Sequence, residues 1–493
     1  MSPLGYFFVA VGALVVGYIV YGKITERLFV PDPNRSTPAL AMQDGVDYVP
    51  LPNWKIFLIQ LLNIAGVGPV FGPILGALYG PSALLWIVFG TLLAGGVHDY
   101  FSGMISLRYN GKSVPDVVGY TLGNFFKQFM RVFSLVLLVL VGVVFVSAPA
   151  GILASLSGSW GSLNFWLAVI FIYYFLATIL PIDVIIARLY PLFAAVLLIM
   201  AFGISGGLIV KGYNFYSWPM TEGTSVFANV HPQGLPMWPL MFITIACGAL
   251  SGFHATQSPL MARCVTNEKV GRRIFYGSMV AEGAIALVWA TAGMTFYQSP
   301  EALLNVISNG GGPAGVVKEV SISLLGPVGG ILAILGVVVL PISSGDTAFR
   351  AARLLVADFG GINQSKAPKR LMISVPLFAI GVLLSQIDFT IIWRYFGWSN
   401  QTLATVMLWS AAAYAVRRGT CHWLITIPAT FMTATVISYI CVAPEGFKLP
   451  YNISVTIGIM AAALALVWFL LNRGGFRKHV LLELPPEHGA VTK

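Results

Sequence analysis

The sequence predicts an all-α polytopic membrane protein. Of its 493 residues, 57% are hydrophobic and only 9% are charged, and the mean hydropathy is +0.83. A soluble domain carries about 25% charged residues. The apolar residues form long continuous runs and not the ten-residue alternating segments of a membrane β-barrel. Only helices and closed barrels satisfy every backbone polar group in lipid, so these runs are predicted to be membrane-spanning helices.

Thirteen spans follow when the apolar runs are divided at glycines, prolines and charges. The first run carries no basic segment before it, and Lys23 and Arg27 follow it, so it is predicted to be a span and not a cleaved signal peptide. The predicted limits are 2–22, 55–79, 82–108, 128–150, 163–181, 186–210, 237–261, 275–297, 326–349, 371–390, 398–416, 422–441 and 452–472.

The positions of the basic residues predict the orientation of the chain. With the N-terminus outside and the C-terminus in the cytoplasm, 24 of the 28 Lys and Arg fall in cytoplasmic loops or span ends. The four exceptions are Lys211, Lys318, Arg394 and Lys448. Positive charge concentrates on the cytoplasmic side of membrane proteins, and one missed span would destroy this asymmetry.

Several classes of function are disfavoured by the same residues. The net charge of +10 is spread between apolar spans, so no nucleic-acid partner is expected. The four cysteines show no CxxC spacing and are interpreted as packing residues. No HExxH motif occurs, so neither a metal site nor a cofactor is expected. No P-loop motif occurs either, so transport driven by ATP hydrolysis within this chain is not expected. A membrane enzyme and a channel remain alternatives to a secondary transporter.

Two spans are interrupted near their middles. The second contains glycines and prolines between Asn63 and Pro73, and the seventh contains them between Cys247 and Pro259. About 15 Å of helix separates each break from the basic residue at the cytoplasmic end of its span. This distance is half of a ~30 Å bilayer core. Because the two spans are five apart, they begin two halves, spans 2–6 and 7–11, of opposite orientation. Matched broken helices of this kind indicate a transporter's binding site; the alternative is a pair of glycine-rich packing surfaces.

The breaks predict the substrate-binding residues. Unwound helices expose carbonyls that can bind a cation, and the N-terminus of the next half-helix can attract an anion. Thr256 is predicted to be the N-cap of such a half-helix, with Pro259 in its first turn and His254 in unwound backbone. A substrate carboxylate would be received there. The predicted substrate-binding residues are Asn63, Gly66, Gly68, Ser251, Phe253, His254 and Gln257.

Ionisable residues inside spans are costly and therefore candidates for ion coupling. His98 and Asp99 lie in the third span, Glu282 lies in its inverted counterpart, the eighth, and Asp346 lies in the ninth. A structural histidine bonded to a backbone carbonyl is the alternative for His98. A local pair with Arg350, four residues further on, is the alternative for Asp346.

Several sequence blocks resemble one known family. They are Asp47-Tyr-Val-Pro50, Ile64-Ala-Gly-Val-Gly-Pro69 with Gly72-Pro-Ile-Leu-Gly76, Ala94-Gly-Gly-Val-His-Asp-Tyr100 with Gly111-Lys-Ser113, Ser251-Gly-Phe-His-Ala-Thr-Gln-Ser-Pro-Leu-Met-Ala-Arg-Cys264, and Asp346-Thr-Ala-Phe-Arg-Ala-Ala-Arg353. Together they resemble the carbon starvation protein (CstA) family, and the chain looks like a short-form member.

The resemblance implies a bacterial inner-membrane importer of peptides or pyruvate that acts during carbon starvation. It also implies a LeuT-type 5+5 inverted repeat similar to that of the amino acid–polyamine–organocation transporters, with one extra helix before and two after. In LeuT-type sodium symporters a cation lies between the first broken helix and hydroxyls of core helix eight. That comparison adds Ala65, Ser343 and Ser344 as ion-coupling candidates, with Na⁺ or H⁺ as the coupling ion.

The predicted organisation of the chain follows from these limits. It comprises an N-terminal helix and cytoplasmic loop (1–54), a first five-helix repeat (55–210), an external loop (211–236), a second repeat (237–416), two additional helices (417–472) and a cytoplasmic tail (473–493). The expected partners are the lipid bilayer and a small polar solute.

Overall fold

The computed structural model describes residues 3–179, 186–216, 225–309, 311–364, 366–387 and 389–478, and within these ranges every regular element is helical. Three segments lie outside the described residues. They are part of the predicted external loop (217–224), the end of the fifth predicted span with the residues that connect it to the sixth (180–185), and the end of the predicted tail (479–493).

In its described residues, the first half of the chain forms ten α-helices. Short 3-10 and π-helical turns, Ala77–Tyr79 and Gly90–Gly95, continue two of them. The α-helices are α1 (Pro3–Phe29), α2 (Pro38–Ala41), α3 (Asn53–Ile64), α4 (Gly68–Gly76), α5 (Ser82–Phe89), α6 (Gly96–Arg108), α7 (Val114–Leu122), α8 (Asn124–Ser157), α9 (Leu163–Ile179) and α10 (Ile186–Val210).

The second half contains ten more. A 3-10 turn (Glu268–Val270) and a π-helical turn (Arg272–Tyr276) precede α13. The α-helices are α11 (Met237–Thr244), α12 (Gly252–Ala262), α13 (Gly277–Phe296), α14 (Pro300–Asn309), α15 (Gly312–Gly360), α16 (Ala367–Leu384), α17 (Phe389–Arg417), α18 (Trp423–Val442), α19 (Tyr451–Leu471) and α20 (Arg473–Lys478).

Helix occurs at all thirteen predicted span positions. Among the described residues, nine helices are long and apolar enough to cross a membrane, and the pair α3 and α4, bent by 48°, adds a tenth. The fifth predicted span is a shorter apolar helix, α9. The seventh is divided into α11 and α12 by a long break, and the eleventh lies within α17, which carries more polar residues.

Some helices continue past the predicted span limits. The ninth predicted span ends at 349, whereas α15 continues to Gly360 and ends where Gly361 takes φ 61°, a left-handed conformation that commonly terminates helices. The same helix bends at Gly326, where φ is 71°. A continuous apolar pattern cannot show that the amphipathic residues beyond a bilayer span remain helical.

The broken helices occupy the centre of the packing. Helix α13 packs against α3 and α4, α12 against α6, and α15 against α8 and α10. Helix α1, by contrast, keeps apolar side chains such as Val15, Val16 and Ile19 more than half exposed. Such a surface suits contact with lipid acyl chains, whereas the central helices are positioned to form a site.

Candidate functional site

The first break lies between α3 and α4. Helix α3 ends at Ile64, and Ala65 leaves the helical conformation with φ −80° and ψ 57°. The N–H of Gly66 donates to the carbonyl of Ile64 at 2.9 Å, so it does not continue the helical ladder. Helix α4 resumes at Gly68 with Pro69 in its first turn, where a proline removes no helical hydrogen bond.

The second break is longer and runs from Ile245 to Ser251. Gly248 has φ 94°, and Ser251 is extended before α12 begins at Gly252. Asn400 of α17 supplies the cap, because its Oδ1 accepts from the N–H of Phe253 at 2.7 Å. Its Nδ2 also donates to Ser251 Oγ at 3.0 Å.

The expected N-cap in this break is therefore wrong. Thr256 lies inside α12, and its hydroxyl donates to the carbonyl of Phe253 at 2.6 Å. Pro259 also lies inside the helix. His254 is consequently in the first turn of α12 and not in unwound backbone, because Asn400 caps the helix from a distant part of the chain.

The two breaks touch each other. A Cβ added to Gly68 would lie 2.0 Å from Cys247 Cβ, and one added to Gly72 would lie 2.8 Å from the carbonyl oxygen of Thr244. A Cβ on Gly248 would lie 3.5 Å from Pro69 Cα. Glycine at these positions lets the two backbones approach each other. The glycines therefore act as helix-packing residues, and the same residues belong to the predicted binding site.

The remaining predicted substrate residues lie beside this contact. Phe253 packs edge-to-face on Phe145, with 5.6 Å between ring centroids, and Gly66 lies against the same Phe145 ring. Asn63 is fully buried, and neither polar atom of its side chain has a hydrogen-bond partner among the described residues. Gln257 Nε2 donates to Thr256 Oγ1 at 3.0 Å, while its Oε1 has no such partner.

Among the described residues, two cavities lie against α4, the helix that follows the first break. The smaller, about 210 Å³, is lined by Gly68 and Cys247 from the two breaks and by Trp393, Arg394 and Phe396 of α17. The larger, about 890 Å³, shares Leu75 and Trp393 with it and extends over α8, α9 and the start of α15. Both lie on the side of the breaks formed by α4 and α11, which the charge pattern predicts to be external.

A chain of fully buried ionisable side chains lies beside the second break. His98 Nδ1 and Asp99 Oδ1 are 2.7 Å apart, and Asp99 Oδ2 and His254 Nδ1 are 2.8 Å apart. His254 Nε2 then lies 3.2 Å from Glu282 Oε2, although this contact does not meet the angular requirement of a hydrogen bond. The side chains of α6, α12 and α13 are thus joined in one acid–base cluster.

The protonation of this cluster is constrained by its own contacts. If His254 Nδ1–H donates to Asp99, a neutral His254 ring presents a lone pair at Nε2. That lone pair faces Glu282, so one proton is needed at this position, on either the imidazole or the carboxyl group. Without this proton, Asp99 and Glu282 would be two ionised carboxylates in an apolar interior, which is strongly unfavourable.

The same region offers three atoms of metal-ligating kinds. Cys247 Sγ, a His254 ring nitrogen and a Glu282 oxygen all lie within 4.8 Å of one another. A structural zinc site takes four protein ligands, and a catalytic zinc site takes three with a water. In the structure Cys247 Sγ lies 3.5 Å from both Ser251 Oγ and Asn400 Nδ2, while His254 and Glu282 also belong to the acid–base cluster.

The predicted hydroxyl pair lies on the first break. Ser343 Oγ and Ser344 Oγ donate to the carbonyl oxygen of Leu62 at 3.0 and 2.9 Å, and both also reach the carbonyl of Leu340. Leu62 is close to the end of α3, so its carbonyl no longer accepts from the residue four positions ahead. The two serine hydroxyl oxygens and the carbonyl oxygens of Leu62 and Leu340 thus form a group of four that could ligate a small cation.

Asp346 lies one turn further along α15. It is fully buried, and its carboxylate accepts from Tyr173 Oη at 2.8 Å and Tyr190 Oη at 3.1 Å. Arg350, the partner in the alternative interpretation of Asp346, directs Nη1 to Asp47 at 2.9 Å. His98 likewise contacts the carboxylate of Asp99, whereas the alternative interpretation had placed it on a backbone carbonyl.

Sequence reasoning missed the residues that position this site. Asn400 caps α12, the tyrosines 173 and 190 hold Asp346, and Asp47 holds Arg350. Asn400 lies in the polar run Ser-Asn-Gln-Thr of an otherwise apolar helix. Polar residues inside a span indicate a role in function or packing. This polar run is therefore the feature of the sequence from which a role for Asn400 could have been predicted.

Comparison with known proteins agrees with this geometry. Residues 4–163 and 158–310, more than half of the chain, match the family described as carbon starvation protein CstA. The chain belongs to the carbon starvation protein CstA family. Among relatives of the family, an uncharacterized membrane protein of Haemophilus influenzae is 47% identical over 62% of this chain and 95% of its own length.

Two other relatives carry functional names. The peptide transporter CstA of Escherichia coli is 24% identical over 91% of this chain and 81% of that protein. The pyruvate/proton symporter BtsT of Escherichia coli is 27% identical over 58% of this chain and 48% of that protein. This CstA-family chain is accordingly a multi-pass membrane transporter.

The fold also matches a solved structure. MhsT, a LeuT-fold transporter crystallised with L-phenylalanine, aligns with a TM-score of 0.54 and 13% identity, covering 87% of this chain and 99% of that one. The LeuT-type architecture expected from the family resemblance and the inverted broken helices is thus confirmed.

Proposed function

We propose that this transporter is a proton-coupled symporter that imports a small carboxylate solute of about the size of pyruvate. The acid–base cluster of His98, Asp99, His254 and Glu282 carries the proposal. It is fully buried, it lies beside the second break, and it requires a proton between His254 and Glu282. Buried ionisable chains of this kind form proton relays in transporters.

The smaller cavity supports a small solute. Sites for drug-sized ligands measure about 300–1,000 Å³, whereas the cavity that touches both breaks measures about 210 Å³. Arg394 lines it and provides a positive charge that would attract a carboxylate. The positive charge of Arg394 and the volume of the smaller cavity both suit pyruvate, the solute in the name of BtsT.

Peptide import is the second candidate. The larger cavity of about 890 Å³ has room for a peptide, and the relatives named CstA are called peptide transporters. Sodium coupling is the corresponding alternative for the ion, because Ser343, Ser344 and Leu62 bring oxygens together at the first break. Location in the bacterial inner membrane, a cytoplasmic C-terminus and a role in carbon starvation remain proposals inferred from the family and the charge pattern.

A gradient screen in proteoliposomes tests this function. Labelled pyruvate and labelled di- and trialanine are offered separately with an inward proton gradient, an inward sodium gradient or neither. We expect accumulation of pyruvate only with the proton gradient, because the cluster binds protons. Accumulation of a peptide in preference to pyruvate, or accumulation driven by sodium alone, would contradict the proposal and favour the second candidate.

A further inference from the structure

A buried carboxylate of the chain's own occupies a guanidinium cluster on the predicted cytoplasmic face. Asp47 lies in the segment between α2 and α3 and is 5% exposed. Its Oδ1 accepts from Arg350 Nη1 at 2.9 Å, and both its carboxylate oxygens lie 3.4 Å from Arg353 Nη2. Both arginines belong to α15 and are at most 1% exposed.

Asp47 is surrounded by buried guanidinium groups. Burial alone would raise the pKa of Asp47, but the guanidiniums of Arg353, Arg350 and Arg263 hold that pKa below its ordinary value. Asp47 is therefore ionised at neutral pH. The only acidic group within ion-pair distance of Arg263, among the described residues, is Asp358 at 3.9 Å. One carboxylate thus lies between two buried guanidiniums, with a third nearby.

Of the two arginines, Arg353 makes the longer contacts with Asp47. Charge-assisted hydrogen bonds between nitrogen and carboxylate oxygen are typically about 2.7–2.9 Å long, and its contacts with Asp47 are longer. Its Nη1 donates to Gln364, but its Nε is buried without a hydrogen-bond partner among the described residues. A planar guanidinium can bind a carboxylate through two parallel bonds, so this arginine has capacity for a better-placed anion.

The segment that carries Asp47 links several helices on this face. The N–H of Leu51 donates to the carbonyl of Cys264 at 3.3 Å, and Tyr48 Oη donates to the carbonyl of Asn110 at 3.0 Å. Residues 47–51, here called the inner strap, therefore join the start of α3 to the end of α12 and to the turn after α6. The inner strap and the two cavities lie on opposite sides of the breaks.

We propose that Arg350 and Arg353 form a carboxylate-binding site at the inner exit, that Asp47 occupies it while the exit is closed, and that the carboxylate of the departing solute replaces Asp47 as the inner strap opens. The nature of the solute rests on the proposed function. Removing the partner of a buried charge is strongly unfavourable. Exchange of one carboxylate for another avoids that cost, because neither guanidinium is left unpaired.

Cys264 provides a reporter for the inner strap. It is fully buried, and its Sγ lies 4.0 Å from the carbonyl oxygen of Asp47. The exposed Cys421 is replaced by Ser in the full-length protein, and alkylation by N-ethylmaleimide is followed by peptide mass spectrometry. Asp47→Asn should accelerate alkylation of Cys264 by about tenfold or more, the effect expected from losing one hydrogen bond between charged groups.

The carboxylate exchange is tested in the same assay with pyruvate and trialanine as probes. In the Cys421→Ser parent, at least one of them should accelerate alkylation of Cys264 severalfold, while sodium chloride at the same ionic strength should not. Arg353→Gln should remove that acceleration. Failure of both probes to accelerate alkylation in the parent would overturn the exchange.

Two controls separate opening from unfolding. Glu26→Gln removes another carboxylate of the same predicted face, paired with Arg272 at 2.9 Å, and should leave the alkylation rate unchanged. If Asp47→Asn exposes the buried Cys247 and Cys441 together with Cys264, or leaves Cys264 as slow as in the parent, the proposal is overturned. The Asp47→Asn comparison needs neither an ion gradient nor a solute, so its result tests the inner strap independently of the proposed function. A protein that accumulates neither solute, with Cys264 still exposed by Asp47→Asn, would contradict the proposed function and leave the closing contact of Asp47 supported.

Discussion

The role predicted for His254 changes once its neighbours in the fold are known. The sequence indicated that it would help to hold the substrate carboxylate, with a link between binding and protonation as a further role. In the fold, both ring nitrogens face carboxylates, Asp99 at 2.8 Å and Glu282 at 3.2 Å. A third carboxylate at this position would be repelled. We therefore propose that His254 takes part in proton transfer. Besides Arg394 in the smaller cavity, the candidates for binding the substrate are the buried polar groups that have no hydrogen-bond partner among the described residues.

Asn63 is such a group, and its replacement tests the binding site. Asn63→Ala removes no hydrogen bond with a described residue, so the melting temperature should change little. If the amide binds the solute carboxylate, affinity should fall by roughly tenfold or more, since a hydrogen bond to a charged group contributes about 1.5–3 kcal/mol. Substrate affinity and melting temperature are measured on the same preparation.

Ser321→Ala is the matched control for Asn63. Ser321 is also buried without a hydrogen-bond partner among the described residues, but it lies in the part of α15 before the bend at Gly326. Its replacement should leave affinity unchanged. Unchanged affinity in Asn63→Ala would remove this residue from the site.

At the scale of the helix, the sequence predicted that α11 and α12 would be separated but not where α12 begins. Glycines and prolines reveal a break through local backbone preference. The start of α12 is determined by Asn400, which is 147 residues from Phe253 along the chain. No local pattern contains that contact, so Thr256 was taken for the cap.

Asn400→Ala tests whether this long-range cap fixes the broken helix. Loss of an N-cap costs about 0.5–2 kcal/mol, so the free energy of unfolding should fall by about that amount. Asn400→Asp keeps the accepting oxygen for the N–H of Phe253 and should retain more of the stability. Chemical unfolding in detergent micelles measures both variants, and an aspartate variant as unstable as the alanine variant would contradict capping.

At the scale of the whole molecule, the sequence was sufficient for the architecture. Continuous apolar runs predicted the helices, and two broken spans five apart in inverted halves led to the arrangement that the match with MhsT confirms. His98, Asp99, His254 and Glu282 were each recognised as candidates separately. Their connection could not be predicted, because it depends on the packing of α6, α12 and α13 around the second break.

Proton coupling through the buried cluster is the central claim, and Glu282→Gln tests it most directly. Glutamine preserves the size of the side chain but cannot exchange a proton. The variant should lose pyruvate accumulation driven by a proton gradient while retaining exchange of labelled for unlabelled pyruvate, which needs no net proton movement. Glu26→Gln should retain both activities. Accumulation by Glu282→Gln to the level of the unaltered protein would contradict the account.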